Sequence, residues 1–474
     1  MTETTLARIR DIVGAAGIID HAAEIEPFCR SWRDGWQGRV PMVVRPANVD
    51  QVAAVVRVCA DTGTPIVPQG GNTGLTGASQ PHDDMSEIIL STSRLTEVRD
   101  LDLAGDTITV EAGVVLAEIQ RIAAANNRLF PLSLGAEGSC QIGGNIATNA
   151  GGTQVLRYGN TRNLVLGLEV VLPDGQIWNG LRALRKDNTG YDLKHLFIGG
   201  EGTLGVITAA VLKLFPRPTA AETAWIGLPD PAAAVRLLSV LRSHLGDSIS
   251  AFELLQRRII DLVVEHVDGH SQPLDPVPDW HVLVEASGFG GDGALSEPFA
   301  NALGAAMEDG LLTDAIIASS GQQSKRFWQM REDTADAQKH GGVGIKHDVS
   351  VPVAKVPEFI ARADAALEQA YPGIRLCAFG HVGDGNMHYN PLAPENWRGE
   401  SFANERESVN RIVHDIVVEL GGSISAEHGI GRLRLDENEL YKHHIELDLM
   451  QKIKRVIDPD LVLNPGKVMR TATR

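Results

Sequence analysis

Two histidines, His381 and His388, stand seven positions apart in "AFGHVGDGNMHYN", on either side of an Asp-Gly-Asn turn. A tight turn there brings both imidazoles to one side, and paired imidazoles suit zinc, iron or manganese. A carboxylate commonly completes such a set, and "SAEHGIGR" supplies Glu427 followed directly by His428. In a strand those two neighbours would point apart, but at a turn into Gly429 both can address one site. Two histidines and one carboxylate leave coordination positions open, which is the arrangement of a catalytic ion. His428 would then be the proton acceptor, because an imidazole titrates near neutral pH. Any one of these histidines alone reads as an ordinary core or surface residue; the four features together favour a metal site.

Cations for an acidic substrate occur at Arg331 in "QQSKRFWQMREDTADAQ" and Lys346 in "GIKHDVSVP". Arg331, among Glu332, Asp333 and Asp336, reads by default as a solvated ion-pair residue. Lys346 enters an apolar alternating strand, where a charge is harder to explain as surface.

The elements that must position these groups are legible in outline. "NVDQVAAVVRVCADTG" predicts a helix capped at Asn48 with Val52, Val55, Val56 and Cys59 on one face. "TPIVPQGGNTGLTG" is a short strand running into a glycine loop, and "DTITVEAGVVLAEIQRIAAANN" a strand followed by a helix. Residues 131–163 read as loop throughout, crowded with Gly, Asn and Thr, and "VLGLEVVLPDGQIW" as a hairpin turning at Pro173-Asp174-Gly175. Bare glycine N–H groups in two such loops could grip a diphosphate without lysines. No Gly-Lys-Ser/Thr follows either loop, so neither is a Walker loop. A G-x-G-x-x-G at Gly288, Gly290 and Gly293 also follows a strand, but no second βαβ unit comes after it, and it reads as a decoy. The helix "NERESVNRIVHDIVVELGG" carries Val409, Ile412, Val413, Ile416 and Leu420 on one stripe and ends at Gly421. Mixed rather than alternating element order points to an α+β fold.

At 474 residues the chain suggests two or three domains, and its net charge of −17 argues against nucleic acid as a partner. Cys29, Cys59, Cys140 and Cys377 are widely spaced, as expected of reduced thiols. The first residues lack a signal-peptide core, and no apolar run reaches membrane-spanning length, so a cytoplasmic protein is expected.

Seven stretches in order, "VPQGGNTGLTG", "GSCQIGGNIATNAGG", "RYGNTRNLVLGLEVVLPDG", "RKDNTGYDLKHLFIGGEGTLGVIT", "GHVGDGNMHYN", "SAEHGIGR" and "LNPGKV", make the chain resemble the FAD-linked D-2-hydroxyacid dehydrogenases from about residue 30 to 470. That family includes D-2-hydroxyglutarate dehydrogenases, flavin-type D-lactate dehydrogenases and the glycolate oxidase flavin subunit. The resemblance implies an FAD-binding domain of the vanillyl-alcohol-oxidase (PCMH) type over 1–217, with its motif core at about 38–217. It further implies an antiparallel-sheet substrate domain over 218–410 and a helical segment over 411–474 returning to the flavin.

By that likeness FAD is held by Pro68, Gly70, Gly71, Asn72, Thr73 and Gly74. The second loop adds Leu132, Gly135, Ser139, Cys140, Gly143, Gly144, Asn145, Thr148, Asn149, Gly151 and Gly152. Glu201, Gly202 and Ile207 take the adenine side, and Asn464 approaches the flavin ring. Neither glycine loop contains a histidine, so the FAD is expected to be noncovalent. The likeness also assigns a divalent metal, usually zinc, to His381, His388 and Glu427, the base to His428, a substrate contact to Asn390 and carboxylate binding to Arg331 and Lys346. Hydroxyglutarate enzymes tend to carry threonine one turn after the arginine; here that position is Ala335. This leaves D-lactate and D-malate open beside D-2-hydroxyglutarate. An electron-transfer flavoprotein, a quinone or a cytochrome would take the electrons, and a homodimer is one assembly open to the chain. The readings set below this one are a non-redox FAD enzyme of the alkyl-glycerone-phosphate synthase type and a non-catalytic metal- and nucleotide-binding protein.

Overall fold

A computed structural model describes residues 2–32, 35–291, 293–397 and 399–470. The chain forms two compact units, one of Met1–Gly152, Gly159–Arg217 and Glu427–Arg474, the other of Thr153–Tyr158 and Pro218–Ala426.

The first unit holds two main sheets. In one, Ile66–Gln69, Ile88–Ser91 and Val43–Val44 run parallel, with Ile18–Ile19 antiparallel at the edge. The helix Val49–Thr62 covers it, with the Asn48 side chain accepting from the Gln51 N–H at its start and Val52, Val55, Val56 and Cys59 buried. The second is a five-stranded antiparallel sheet in which the hairpin Val165–Val171/Ile177–Gly180 lies beside Val206–Lys213. Residues 131–163 are not loop throughout: they contain the helical turns Ile142–Ala147, Val155–Tyr158 and Thr161–Leu164. Gly143 allows the first of these, because a Cβ there would press on Ala112, whose carbonyl accepts the Gly143 N–H.

The second unit is a seven-stranded antiparallel sheet. Its order is Asp314–Ile317, Ala220–Leu228, Trp280–Gly288, Ile249–Gln256, Ala378–Gly380, Asn386–Tyr389, His347–Ser350. Successive side chains of a strand point to opposite faces, and the sheet uses this to separate two environments. On one face Phe252, Leu254, Met387 and Tyr389 join a large core with the helices Pro231–Leu245, Ser296–Glu308, Val356–Ala370 and Arg406–Glu419. On the other, Leu255, Leu283 and Phe379 pack with Arg257–His266, Gly321–Glu332 and Thr334–His340. The stripe Val409, Val413, Ile416 and Leu420 is buried in the first core, which is why the helix Arg406–Glu419 groups with this unit and not with the C-terminal segment. The sequence Gly288–Gly293 closes a strand whose neighbours are both antiparallel, so no βαβ dinucleotide unit exists there.

All four cysteines are buried free thiols. Among the described residues no helix is long and apolar enough to cross a membrane.

Candidate active site

In the first unit, the loops expected to hold a cofactor are drawn together. Gly71 lies so close to Ser139 that a Cβ would strike its carbonyl oxygen, and a Cβ on Gly70 would stand 3.4 Å from Gln141. Gly202, at φ +72°, sits with its Cβ position 3.1 Å from Pro68. Asn464 ties three segments: its backbone N–H donates to the Ile66 carbonyl (2.8 Å), and its Nδ2 donates to the carbonyls of Ala78 (2.9 Å) and Glu201 (2.8 Å). Leu132, Cys140 and Ile207 are buried in the walls.

Two observations fit these loops to a polar ligand with a phosphate. Among the described residues, the buried Oδ1 atoms of Asn145 and Asn464 have no hydrogen-bond partner, although an unmatched buried carbonyl costs roughly 1–3 kcal/mol. At Gly135, Gly138 and Gly144, no described heavy atom lies within 4 Å of where a Cβ would stand, which leaves bare backbone facing open space. Other residues of the set serve the loops themselves. Asn72 Nδ2 donates to the Pro27 and Arg30 carbonyls, and its Oδ1 accepts from Ser79 and Gln80. Thr148 Oγ1 donates to the Gly144 carbonyl, and Asn149 Oδ1 accepts from the Arg162 N–H. Ser139 Oγ donates to the Ala136 carbonyl (3.4 Å).

The segment "EHGIGR" is threaded onto the same loops. Thr76 Oγ1 donates to the His428 carbonyl (3.1 Å), and Glu201 accepts the N–H groups of Ile430 and Gly431, each at 2.8 Å. Gly429, at φ +79°, lets the chain pass against the Glu201 carboxyl. Gly151 and Gly152 also admit close neighbours, the Glu427 carboxylate and the Ser133 carbonyl respectively. Burial pushes Glu201 up to about 7, against the pull of its two N–H donors and Arg434. The folded-state value thus lies above the unfolded value of 4.5. Between the two the folded chain keeps a proton that the unfolded chain has lost, so stability falls as pH rises through this window and is level above it. Denaturant unfolding should therefore show a larger loss of stability from pH 5 to pH 8 in the wild type than in Glu201→Gln, by an amount on the order of 1–3 kcal/mol. Equal slopes would remove Glu201 as the cause.

In the second unit, His381 follows the strand Ala378–Gly380, and His388 lies in Asn386–Tyr389 opposite Phe379. Since Met387 and Tyr389 enter the large core, His388 faces the other side, and its ring centroid is 5.6 Å from that of His381. Each ring has a buried carboxylate at Nδ1. Glu253 Oε1 is 2.6 Å from His381 Nδ1, and Asp348 Oδ1 is 3.7 Å from His388 Nδ1. The Glu253 carboxylate accepts from His381 Nδ1 and so presents Nε2 as a ligand, the usual second contact of a metal-binding histidine, whereas Asp348 stands beyond hydrogen-bond distance of His388 Nδ1. The donor chemistry therefore fits a divalent ion.

Arg331 is no solvated ion-pair residue. Its side chain is 11% exposed, its Nε donates to Glu253 Oε2 at 2.8 Å, and its Cζ stands 5.1 Å from the Phe379 ring centre. Burial alone would raise Glu253, but His381 and Arg331 beside it outweigh this and hold its carboxyl down to about 2. Lys346 is half-buried and immediately precedes the strand His347–Ser350. Asn390 is buried with both amide ends engaged, Oδ1 accepting from the His347 N–H and Nδ2 donating to Gln338. It braces the strands here. Thr334, next to Ala335, donates its hydroxyl to the Arg331 carbonyl (2.8 Å) and closes the helix that carries Arg331. Ala426, the last residue of this unit, donates its N–H to the Asp348 carbonyl (3.1 Å).

The comparisons with known proteins bear on the family and the fold. Residues 40–180 match the FAD binding domain family, and residues 217–468 match the C-terminal domain of FAD linked oxidases. The chain is 37% identical over 472 residues to the mitochondrial D-2-hydroxyglutarate dehydrogenase of Bos taurus, covering 99% of this chain and 84% of that one. It is 35% identical to the D-2-hydroxyglutarate dehydrogenase of Xanthomonas citri pv. viticola, covering 99% and 98%. A D-2-hydroxyglutarate–pyruvate transhydrogenase of Saccharomyces cerevisiae is 34% identical, covering 98% and 93%. Among solved structures, p-cresol methylhydroxylase with substrate bound superposes with a TM-score of 0.77 at 17% identity, covering 98% and 96%. An alkyldihydroxyacetonephosphate synthase gives 0.73 at 17% identity, covering 98% and 85%. These two share the fold, which is that of the PCMH-type flavoproteins. With ordered motifs, fold and near-full-length relatives in accord, the chain belongs to the FAD-linked D-2-hydroxyacid dehydrogenases.

Proposed function

We propose that the substrate is a D-2-hydroxydicarboxylate, D-2-hydroxyglutarate before D-malate, oxidised at C2 to the 2-keto acid with the help of a divalent metal, zinc by preference. The observation that carries this is the buried Arg331–Glu253–His381 chain, which sets a carboxylate-binding guanidinium beside an imidazole suited to a metal. Two cations, Arg331 and Lys346, suit a second carboxylate that D-lactate lacks. The names of the curated relatives point the same way.

In this reading His381, His388 and Glu427 would hold the divalent ion, which would supply Lewis acidity at the C2 hydroxyl, and the bound FAD would supply the redox chemistry. His428 takes the hydroxyl proton on its neutral ring. Arg331, with its Nε fixed by Glu253, offers its remaining N–H edge to a substrate carboxylate, and the planar fork favours two parallel hydrogen bonds. Lys346, which the resemblance assigns to carboxylate binding, would supply the second positive charge. Pro68–Gly74, residues 132–152, Glu201, Gly202, Ile207 and Asn464 hold the cofactor without a covalent link. The acceptor that reoxidises it is of the electron-transfer flavoprotein, quinone or cytochrome class.

An anaerobic reduction screen of paired D and L acids, with metal analysis of the same sample, tests the reading. D-2-hydroxyglutarate should bleach the flavin fastest, D-malate more slowly, and no L acid at all. Because Thr334 is committed to the Arg331 carbonyl, Ala335→Thr should add the missing hydroxyl and lower KM for D-2-hydroxyglutarate several-fold. Faster bleaching by D-lactate than by either dicarboxylate would overturn the assignment of the acid.

A further inference from the structure

The reading above gives Arg331 and His381 separate tasks, yet one side chain touches both. Glu253 lies in the strand Ile249–Gln256, with Oε2 2.8 Å from Arg331 Nε and Oε1 2.6 Å from His381 Nδ1. Its side chain is 1% exposed. Strand alternation puts it on the sheet face of Leu255, Leu283 and Phe379, where an apolar residue would be the ordinary occupant. A buried ion pair is weak as a stabilising device, since hydrophobic residues of similar volume often serve folding as well or better. An acid at this position therefore calls for a reason beyond the fold.

We propose that Glu253 is a positioning residue that fixes the substrate-anchoring guanidinium and the metal-site imidazole in a single frame. Each oxygen accepts from one partner, so the separation between Arg331 and His381 is set by the width of one carboxylate. His381 is thereby held as the Nδ1–H tautomer with Nε2 as its lone-pair atom. Arg331 is held at Nε, which leaves its two terminal nitrogens to the substrate. Losing the carboxylate should release both ends together. A role confined to the fold would instead lower stability without linking metal affinity to substrate affinity.

The inference rests on the proposed function but is separable from it by readouts that need no turnover. Full-length FAD-loaded wild type, Glu253→Gln and Glu253→Met are compared. Metal affinity is measured by competition of Zn²⁺ with a chromophoric chelator, and affinity for the 2-keto acid product by perturbation of the flavin spectrum. Both variants are expected to keep their FAD and to melt at a lower temperature, because Arg331 is left buried without its carboxylate. Both should weaken Zn²⁺ binding and keto-acid binding about 10–100-fold each. Should Glu253→Gln fail to fold, Glu253→Met decides, since it asks nothing of hydrogen bonding. Zn²⁺ and keto-acid affinities within twofold of wild type, or a loss in one without the other, would overturn the shared frame. If the wild type itself binds Zn²⁺ and keto acid but oxidises no D-2-hydroxyacid, the proposed function falls while the frame stands.

Discussion

Replacing His428 by asparagine is expected to give a yellow, FAD-loaded protein whose flavin D-2-hydroxyglutarate reduces about 10²–10⁴ times more slowly than in the wild type, the range ascribed to a positioned general base. The backbone argues that such a change would be confined to the ring. Thr76 holds the His428 carbonyl, Glu201 accepts the amides of Ile430 and Gly431, and Gly429 supplies the left-handed turn between them, so the backbone here is held by groups other than the ring. Product affinity should stay near that of the wild type, because Arg331 and Lys346 belong to other segments. Because only a neutral imidazole takes a proton, acid should slow reduction in the wild type, and the climb with pH should vanish in the variant. Stopped-flow reduction under anaerobic conditions reads both. A variant reduced within tenfold of the wild type, or one that keeps the pH climb, would assign the proton to another group.

That experiment targets a residue legible from the chain alone, and the contrast with Glu253 shows where legibility ends. His381, His388 and the pair Glu427-His428 announce themselves by residue type and by the turns around them. The cofactor loops do so by glycine, because close backbone approach at Gly71 and Gly202 demands it. Glu253 sits 128 residues from His381, joined to it only because Ile249–Gln256 and Ala378–Gly380 are neighbours in the sheet. No periodicity announces a pairing between strands so distant in sequence. A single acid inside the apolar run "ISAFELLQ" was the one available signal, and it shows an unusual residue without showing its partner.

Arg331 misleads for the related reason that its local neighbours are acidic, whereas its own partner comes from the strand Ile249–Gln256, 78 residues away in sequence. Polar loop residues err in the other direction. Asn72 and Asn390 have side chains suited to a ligand, but hydrogen bonds to Pro27, Arg30, His347 and Gln338 already occupy them. Sequence shows what a side chain can bind; the fold decides which side chains are left to bind it.

The same distinction sharpens the metal prediction. Stripping the enzyme with a chelator should leave the FAD in place, because two of the three proposed ligands, His381 and His388, lie outside the cofactor loops. Flavin reduction by D-2-hydroxyglutarate should then fall by about 10³-fold or more, several kcal/mol of charge stabilisation being the usual contribution of a Lewis-acid ion. Adding Zn²⁺ should restore it. His388→Ala should lose the same activity and resist restoration, since the remaining imidazole and one carboxylate make too few strong contacts at neutral pH. Asp348→Asn offers a finer probe. Asp348 stands 3.7 Å from His388 Nδ1 and also accepts from Asn386 Nδ2 at 2.9 Å, so its charge is shared and its hold on the ring is looser than that of Glu253 on His381. Its amide should weaken Zn²⁺ binding less than Glu253→Gln does. Chelated enzyme that is reduced at the wild-type rate would remove the ion from the reaction, and the two carboxylates would then be explained only as partners of buried histidines.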